Sequence, residues 1–235
     1  MTINSTEKMS WKEANGQHYT ASIAAKIPGY RLLHEQMAFM MHAHLNGEDH
    51  KLLIVGAGGG QEIISLGQLN QSWRFTGIDP SESMLAEASL RLQEAGILEQ
   101  TTLLQGTVTD LPQFNQYDGA TCMLVLHFIQ DEQTKLNMLQ EIANRLKSGA
   151  MFIMATLSAD PSSKIYPILM SAYRSSMLSA GISEEHWEKF QASIGHTSYP
   201  EPSEQIVTWL ELAGFEHVTR YFGSYMVEGY VAIKK

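Results

Sequence analysis

The chain has 235 residues, 44% of them hydrophobic and 17% charged, a composition too apolar for a disordered protein and ordinary for a globular one. A net charge of -9 repels a phosphate backbone, so a nucleic-acid partner is disfavoured. The single cysteine, Cys122, excludes an internal disulfide, and no apolar run approaches the roughly 18 residues that span a bilayer. Because residues 1–17 show no secretory signal, we expect a cytoplasmic protein without a membrane partner.

Apolar runs and amphipathic segments alternate along the chain, and their periods distinguish strands from helices. The first half predicts a helix over 31–45, a strand over 52–55, a helix over 61–69, a strand over 74–78, a helix with Ser81 as its N-cap and Gly96 at its end, and a strand over 101–105. The second half predicts a strand over 118–128, a helix from Asp131 to 148–149, a strand over 150–156, helices over 168–178 and 184–194, a helix from the cap Ser203 to Gly214, and strands over 215–222 and 225–233.

This alternation indicates an α/β fold. We predict a doubly wound, mostly parallel seven-stranded sheet with helices on both faces, an antiparallel last strand and a helical insertion after strand five. One domain covers residues 1–235, with residues 1–50 as an N-terminal helical cap and residues 157–200 as the insertion. The insertion either forms a lid over the carboxyl end of the sheet or only buries a sheet edge.

The most informative segment is a buried strand that ends in four glycines within five positions, at residues 52–60. Glycines at such a turn let backbone N–H groups approach a ligand, because no Cβ intervenes. A dinucleotide-binding turn has the spacing G-x-G-x-x-G, but the third glycine of that pattern is replaced here by Gln61. The spacing present is G-x-G-x-G, through Gly56, Gly58 and Gly60.

The second strand ends in Asp79, 23 residues after Gly56. A lone aspartate at a strand end is more often a helix cap. At this distance from a glycine turn, however, the carboxylate is aimed at the crevice beside the turn and can accept hydrogen bonds from ribose hydroxyls. The pair therefore favours a nucleoside-containing ligand.

The glycine turn, Asp79 and the order of the later elements resemble the Rossmann-like S-adenosylmethionine (AdoMet) methyltransferases. The later elements are residues 106–112, 117–118, 126–128 and 146–150, so the resemblance covers about residues 50–156. It implies AdoMet as the cofactor. It also implies a set of cofactor-binding residues: Gly56, Ala57, Gly58 and Met123 at the methionyl part, Asp79 and Pro80 at the ribose, and Thr107 and Val108 at the adenine edge. Met84 lies either against the adenine face or in the core of its helix.

Both ends of the chain resemble the family of carboxy-S-adenosylmethionine synthases, through residues 27–30, 213–217 and Phe222. The resemblance implies that Tyr30 reaches the cofactor, the alternative being an aromatic anchor for the N-terminal helix. It also implies a homodimer. Two positions depart from the family patterns: Gln191 stands where the synthases have a carboxylate-binding arginine, with Arg174 one helix too early, and Ile54 stands where most methyltransferases have an acidic residue. Glu62 is the candidate to replace that acidic residue.

Methyl transfer from a sulfonium requires alignment and exclusion of water rather than a covalent residue. His127, at the end of the fourth strand, is the candidate general base, although a structural histidine that hydrogen-bonds the neighbouring loop is slightly favoured over it. The histidine spacing predicts no metal site. We therefore predict an AdoMet-dependent methyltransferase with a small-molecule acceptor; the alternatives are a carboxy-AdoMet synthase-like enzyme and a non-catalytic AdoMet-binding protein.

Overall fold

The computed structural model describes residues 23–47, 49–114 and 116–235. Seven strands form one sheet in the order β3-β2-β1-β4-β5-β7-β6. β7 pairs antiparallel with both β5 and β6, and the other pairs are parallel. The predicted fold class is confirmed. The strands are β1 (Lys51–Val55), β2 (Arg74–Asp79), β3 (Thr101–Gln105), β4 (Tyr117–Met123), β5 (Leu146–Leu157), β6 (Phe215–Ser224) and β7 (Val227–Lys234).

Seven α-helices from Tyr30 onward in the described residues surround this sheet. Residues 1–22 of the predicted N-terminal cap lie outside the described residues. The helices are α1 (Tyr30–His44), α2 (Gln61–Gly67), α3 (Glu82–Glu94), α4 (Glu132–Ala143), α5 (Tyr166–Ser179), α6 (Glu184–Ser193) and α7 (Ser203–Leu212).

The central strands are buried on both faces, as expected for parallel strands covered by helices. Alternate residues of β1 enter different cores: Leu52 and Ile54 pack on one face, and Leu53 and Val55 on the other. Helices α1, α2, α3, α5 and α6 contribute to the first core, and α4 and α7 to the second. The first face therefore carries most of the helical mass.

Helix α1 approaches β4 closely because Gly119 has no side chain. A Cβ at Gly119 would lie 2.6 Å from the Sδ of Met41 and 3.0 Å from Cδ2 of Leu52. Met37 and Met41 of α1 are completely buried in this contact layer. Docking of α1 on the sheet thus depends on a missing side chain as much as on an apolar face.

Some predicted boundaries were wrong. β4 ends at Met123 and not at residue 128, because Leu124 adopts a left-handed φ of 61° and residues 126–128 form a 3-10 turn. The helix after Asp131 ends at Ala143, and Leu146, predicted on that helix, begins β5. Ser203 does not cap α7; Pro202 occupies that position, and the Ser203 hydroxyl donates to the Glu228 carboxylate at 2.6 Å.

The insertion is joined to the first core by an aromatic cluster. Tyr173 of α5 stacks on Tyr225, with ring centroids 5.0 Å apart, and meets Trp187 and Phe190 of α6 edge-on. Tyr173 and Trp187 are buried. These side chains hold the insertion to the loop between β6 and β7.

A buried lysine fastens the chain that returns from the insertion. The completely buried Lys135 of α4 donates from Nζ to the Tyr199 carbonyl at 2.8 Å and pairs with the Glu201 carboxylate. Its ammonium lies 5.4 Å from the Trp209 ring centroid. The Tyr199 N–H in turn donates to the carbonyl of His127 at 2.6 Å, so this network reaches the loop after β4.

Replacing Lys135 with methionine should destabilise the protein by about 3 kcal/mol, because Glu201 and the Tyr199 carbonyl lose a buried donor. Adding Glu201→Leu should recover much of that loss, since both members of the pair are then apolar. Urea unfolding with linear extrapolation measures both effects. The control is Lys147→Met, whose ion pair with Asp118 is half exposed and should contribute below about 1 kcal/mol. Equal losses at the two lysines would contradict the assignment.

Candidate active site

A cavity of about 300 Å³ opens where the carboxyl ends of the parallel strands meet. This is the place where ligands bind in open α/β sheets. Its lining is mostly apolar and comes from the loops after β1, β2, β3 and β4, with α1 as a further wall. All predicted cofactor-binding residues lie in this lining: Tyr30, Gly56, Ala57, Gly58, Asp79, Pro80, Met84, Thr107, Val108 and Met123.

The glycine turn adopts backbone conformations that other residues avoid. Gly56, Gly58 and Gly60 have φ values of +73°, +48° and +76°. A Cβ at Gly56 would lie 2.2 Å from Cγ2 of Val125, so a side chain there would displace the loop after β4. The absence of a side chain at Gly56 therefore lets the glycine turn and the loop after β4 lie against each other in the cavity wall.

Asp79 connects the glycine turn to the end of β2. Its Oδ2 accepts the N–H of Gly58 and its Oδ1 accepts the N–H of Ser81, each at 2.9 Å. Burial raises the pKa of the Asp79 carboxyl above its usual value, while these two N–H groups act in the opposite direction. Each oxygen keeps a further lone pair that can accept a hydrogen bond from a ligand.

The loop after β3 is fixed by a small capping box. The Thr107 N–H and hydroxyl donate to the Asp110 carboxylate at 2.8 and 3.1 Å. This places buried Val108 in the wall of the cavity. Met84 lies in the same wall, and it is also a buried residue of α3, so its two predicted environments are compatible.

The loop after β4 contributes Leu124, Val125 and Phe128 to the lining. The left-handed backbone of Leu124 is unusual for a branched residue and costs about 1–3 kcal/mol. Its N–H donates to the Ala155 carbonyl at 2.6 Å, which holds the conformation. The turn directs the loop across the cavity rather than continuing β4.

His127 lies in this loop but does not line the cavity. It is buried, its Nδ1 accepts the N–H of Leu157 at 3.3 Å, and the same nitrogen lies 3.2 Å from Oγ1 of Thr156. Burial, and secondarily the charge of Lys135, lower the pKa of His127 to about 3. These contacts favour the structural interpretation over that of a general base.

Helix α1 places a histidine in the cavity wall that the sequence pattern did not identify as a site residue. His34 is 3% exposed, and both ring nitrogens are buried without a hydrogen-bond partner among the described residues. Its ring meets that of Tyr30 edge-on, with centroids 4.5 Å apart. Burial, followed by the charge of Arg91, lowers the pKa of His34 to about 4, so the imidazole is neutral at pH 7.

Glu62, the candidate replacement for an acidic residue at Ile54, also lines the cavity. Ile54 itself is completely buried in the first core and lies outside the lining. Burial raises the pKa of Glu62 to about 8; its own backbone N–H opposes this rise and the charge of Asp79 adds to it. A carboxyl with such a pKa is mostly protonated at pH 7.

Arg91 of α3 supports the outer side of the glycine turn. Its guanidinium donates to the Gly59 carbonyl and, at 2.7 Å, to Oε1 of Gln61. Arg91 also lines the cavity, and its charge acts on both His34 and Glu62. It is therefore the positive group of this part of the site.

The insertion does not contribute to the cavity, since none of residues 157–200 belongs to its lining. Gln191 and Arg174 both lie outside it, and Arg174 pairs with Glu184 of α6, Nε to Oε1 at 2.7 Å. Among residues 23–47, 49–114 and 116–235, no group of three histidine, cysteine or acidic side chains could hold a metal ion. Nor is any helix in these ranges long and apolar enough to cross a membrane.

Comparison with known proteins identifies the domain that surrounds the cavity. The family model described as "Methyltransferase domain" matches residues 52–149. A ubiquinone biosynthesis O-methyltransferase from Marinobacter nauticus is 31% identical over 143 residues, which cover 60% of this chain and 57% of that relative. Residues 52–149 therefore match a methyltransferase domain, in line with the resemblance of this region to the AdoMet-dependent methyltransferases. The subgroup of carboxy-AdoMet synthases is not indicated by these matches.

Two further similarities agree with this family. An enzyme of the same name from Nitrosomonas europaea is 32% identical over 143 residues, 60% of this chain and 58% of the relative. The chain thus spans less than two thirds of the length of these curated relatives. An O-methyltransferase family 2 protein from Planctomyces limnophilus, solved in complex with apigenin, shares the fold with a TM-score of 0.66 at 16% identity, over 98% of this chain and 63% of that chain.

Replacing Asp79 with alanine should weaken AdoMet binding by about 1.5–3 kcal/mol, because charge-assisted hydrogen bonds to the ligand are lost. Asp79→Asn keeps one acceptor oxygen and should have a smaller effect. Isothermal titration calorimetry measures both. Glu94→Ala, an exposed change at the end of α3, is the control. An Asp79→Ala variant with unchanged affinity would refute the ribose assignment.

Proposed function

We propose that this protein transfers the methyl group of AdoMet to a hydroxyl of a small-molecule acceptor. The observation that carries the proposal is the cavity at the ends of β1, β2 and β4, whose lining contains both the glycine turn and Asp79. The methyltransferase domain and the O-methyltransferase relatives support it. Oxygen as the attacking atom comes from the names of these relatives.

The residues present fit AdoMet. Asp79 offers spare acceptor positions for ribose hydroxyls, and Val108 and Met84 form an apolar wall suited to a purine. The lack of a Cβ at Gly56 lets Val125 pack directly against the glycine turn in the cavity wall. We assign the adenosine to this part of the cavity and the methionyl part to the glycine turn and Met123.

The acceptor side of the cavity is apolar. The lining residues from α1's N-terminal side, the loop after β4 and α4 are apolar: Ile23, Leu124, Val125, Phe128, Ile129 and Met138. The polar residues that the cofactor assignment leaves over lie on α1, α2 and α3 or next to them: His34, Gln61, Glu62, Ser81 and Arg91. The apolar part of the lining suits an apolar or aromatic acceptor with few charged groups. The acceptor hydroxyl would then be positioned next to the methyl group by packing of the acceptor against these apolar side chains and not by an ion pair.

AdoMet, when bound, supplies an electrophilic methyl group on a sulfonium. The residues of this chain have two tasks in the reaction: they orient the two reactants in line, and they exclude water from the cavity. The loop after β4 and α1 are placed to do both, because they line the same cavity as the glycine turn. His127 has no direct access to the cavity, so no general base is assigned.

The carboxy-AdoMet synthase-like activity is a second candidate, supported by the position of Tyr30 in the cavity wall. The positions of Gln191 and Arg174 outside the lining count against it, since no arginine from the insertion is available to bind the added carboxylate. A cytoplasmic location and a homodimer stay predictions.

Incubation of the protein with AdoMet and a panel of phenolic and aliphatic hydroxyl compounds tests the proposal. We expect S-adenosylhomocysteine and one methylated product in equal amounts, detected by mass spectrometry. A parallel reaction with prephenate distinguishes the second candidate, because carboxy-AdoMet would form only there. AdoMet binding without any product would instead indicate a non-catalytic binding protein, and no binding would refute all three functions.

A further inference from the structure

Two ionisable side chains stand out at the place where α1 meets α2 in the cavity wall: His34 and Glu62. Both are buried, at 3% and 5% exposure, and both belong to the cavity lining. Glu62 and Asp79 are the two carboxyl groups of that lining. Neither His34 nor Glu62 is needed to hold the glycine turn, a task that Asp79 and Arg91 perform.

His34 is costly in the ligand-free protein. A buried polar atom without a partner destabilises a fold by about 1–3 kcal/mol, and His34 has two such atoms, Nδ1 and Nε2. A leucine of similar size would avoid this cost on a helix that is otherwise packed through Leu33, Met37 and Met41. A neutral imidazole facing a cavity can donate one hydrogen bond and accept another, so a polar ligand group would satisfy it.

Glu62 is surrounded by groups that do not neutralise it. The charged or titratable groups that act on it, or on which it acts, are Asp79 on β2, Arg91 on α3, Cys122 on β4 and Tyr221 on β6. No ion pair of Glu62 is found among the described residues; the positive charge of Arg91 is directed to Gly59 and Gln61. A cationic ligand group in the cavity would supply the missing charge.

His34 offers a hydrogen-bond donor on which the positive charge of Arg91 acts, and Glu62 offers a carboxyl without a cation. Together they are complementary to an α-amino acid. The donor side suits a carboxylate, and the Glu62 side suits an ammonium. AdoMet carries such a zwitterion at its methionyl end, whereas its adenosine does not. We propose that His34 and Glu62 form a clamp for the amino-acid end of AdoMet, with Glu62 accepting from the ammonium and His34 donating to the carboxylate.

This inference rests on the proposed function, because it takes AdoMet as the ligand. It explains how a methyltransferase with Ile54 in the first motif holds the methionyl end: the acid lies on α2 instead of β1. It also gives α1 a role in binding through His34, next to Tyr30. Arg91 assists by its positive charge, which acts on both His34 and Glu62.

The clamp predicts proton release on binding. Glu62, with a pKa raised to about 8 by burial, is mostly protonated at pH 6.5 and must ionise to pair with an ammonium. Below that pKa the affinity for AdoMet should therefore rise about tenfold per pH unit. Binding at pH 6.5 should release close to one proton, measured by calorimetry in two buffers of different ionisation enthalpy.

Three ligands separate the two halves of the clamp by calorimetry at pH 7.5. AdoMet has both the ammonium and the carboxylate, decarboxylated AdoMet keeps only the ammonium of these two groups, and 5′-methylthioadenosine has neither of them. Glu62→Gln should weaken AdoMet and decarboxylated AdoMet about 10- to 100-fold and abolish proton release. His34→Leu should weaken AdoMet alone, by about 5- to 50-fold. Both variants should bind 5′-methylthioadenosine like the wild type, which also shows that they are folded.

Thermal unfolding adds a readout that a merely structural histidine would not give. His34→Leu should raise the melting temperature of the ligand-free protein, because two unsatisfied polar atoms are removed. Glu94→Gln is the matched control for Glu62→Gln and should leave all three affinities unchanged. Equal weakening of all three ligands by Glu62→Gln and His34→Leu, or AdoMet binding without proton release, would overturn the clamp. Failure of the wild type to bind any of the ligands would refute the proposed function itself.

Discussion

The site depends on the hydrogen bonds that Asp79 makes to two backbone N–H groups. One oxygen accepts from Gly58 in the glycine turn, and the other from Ser81 at the start of α3. These bonds join the ends of two neighbouring strands and fix a turn whose glycines would otherwise have wide conformational freedom. The same carboxylate faces the cavity, so the geometry of the turn and the ligand-binding group are set by one side chain.

The sheet determines which other residues reach the cavity. Parallel strands with helices on both faces bring the loops after β1, β2, β3 and β4 to one edge. The open side of these loops is covered by α1, which precedes the sheet in the chain, and not by the insertion. The insertion instead extends the first core, through the aromatic cluster of Tyr173, Trp187 and Tyr225.

Local sequence rules predicted most elements, and the family resemblance supplied the ten candidate cofactor residues that lie in one lining, although their binding role stays a prediction. The rules work where the signal is local: Ser81 caps α3, and Asp131 caps α4. They fail where tertiary bonds decide. Leu124 reads as strand but has a left-handed backbone that ends β4, and Ser203 reads as a cap but donates its hydroxyl to the Glu228 carboxylate. His34 was missed because its exposure to the cavity depends on how α1 docks, which no short-range pattern records.

The contact of Met41 with Gly119 has a consequence for ligand affinity that is independent of any ligand contact. Helix α1 can bring Tyr30 and His34 to the cavity only as far as its opposite part can settle on β4, where Gly119 leaves room for Met41. Even a small side chain at residue 119 would therefore push α1 away from the sheet. This shift would displace the cavity wall that α1 forms, although residue 119 lies on β4 and outside the cavity lining. Selection for ligand binding would then act on a residue that no ligand touches.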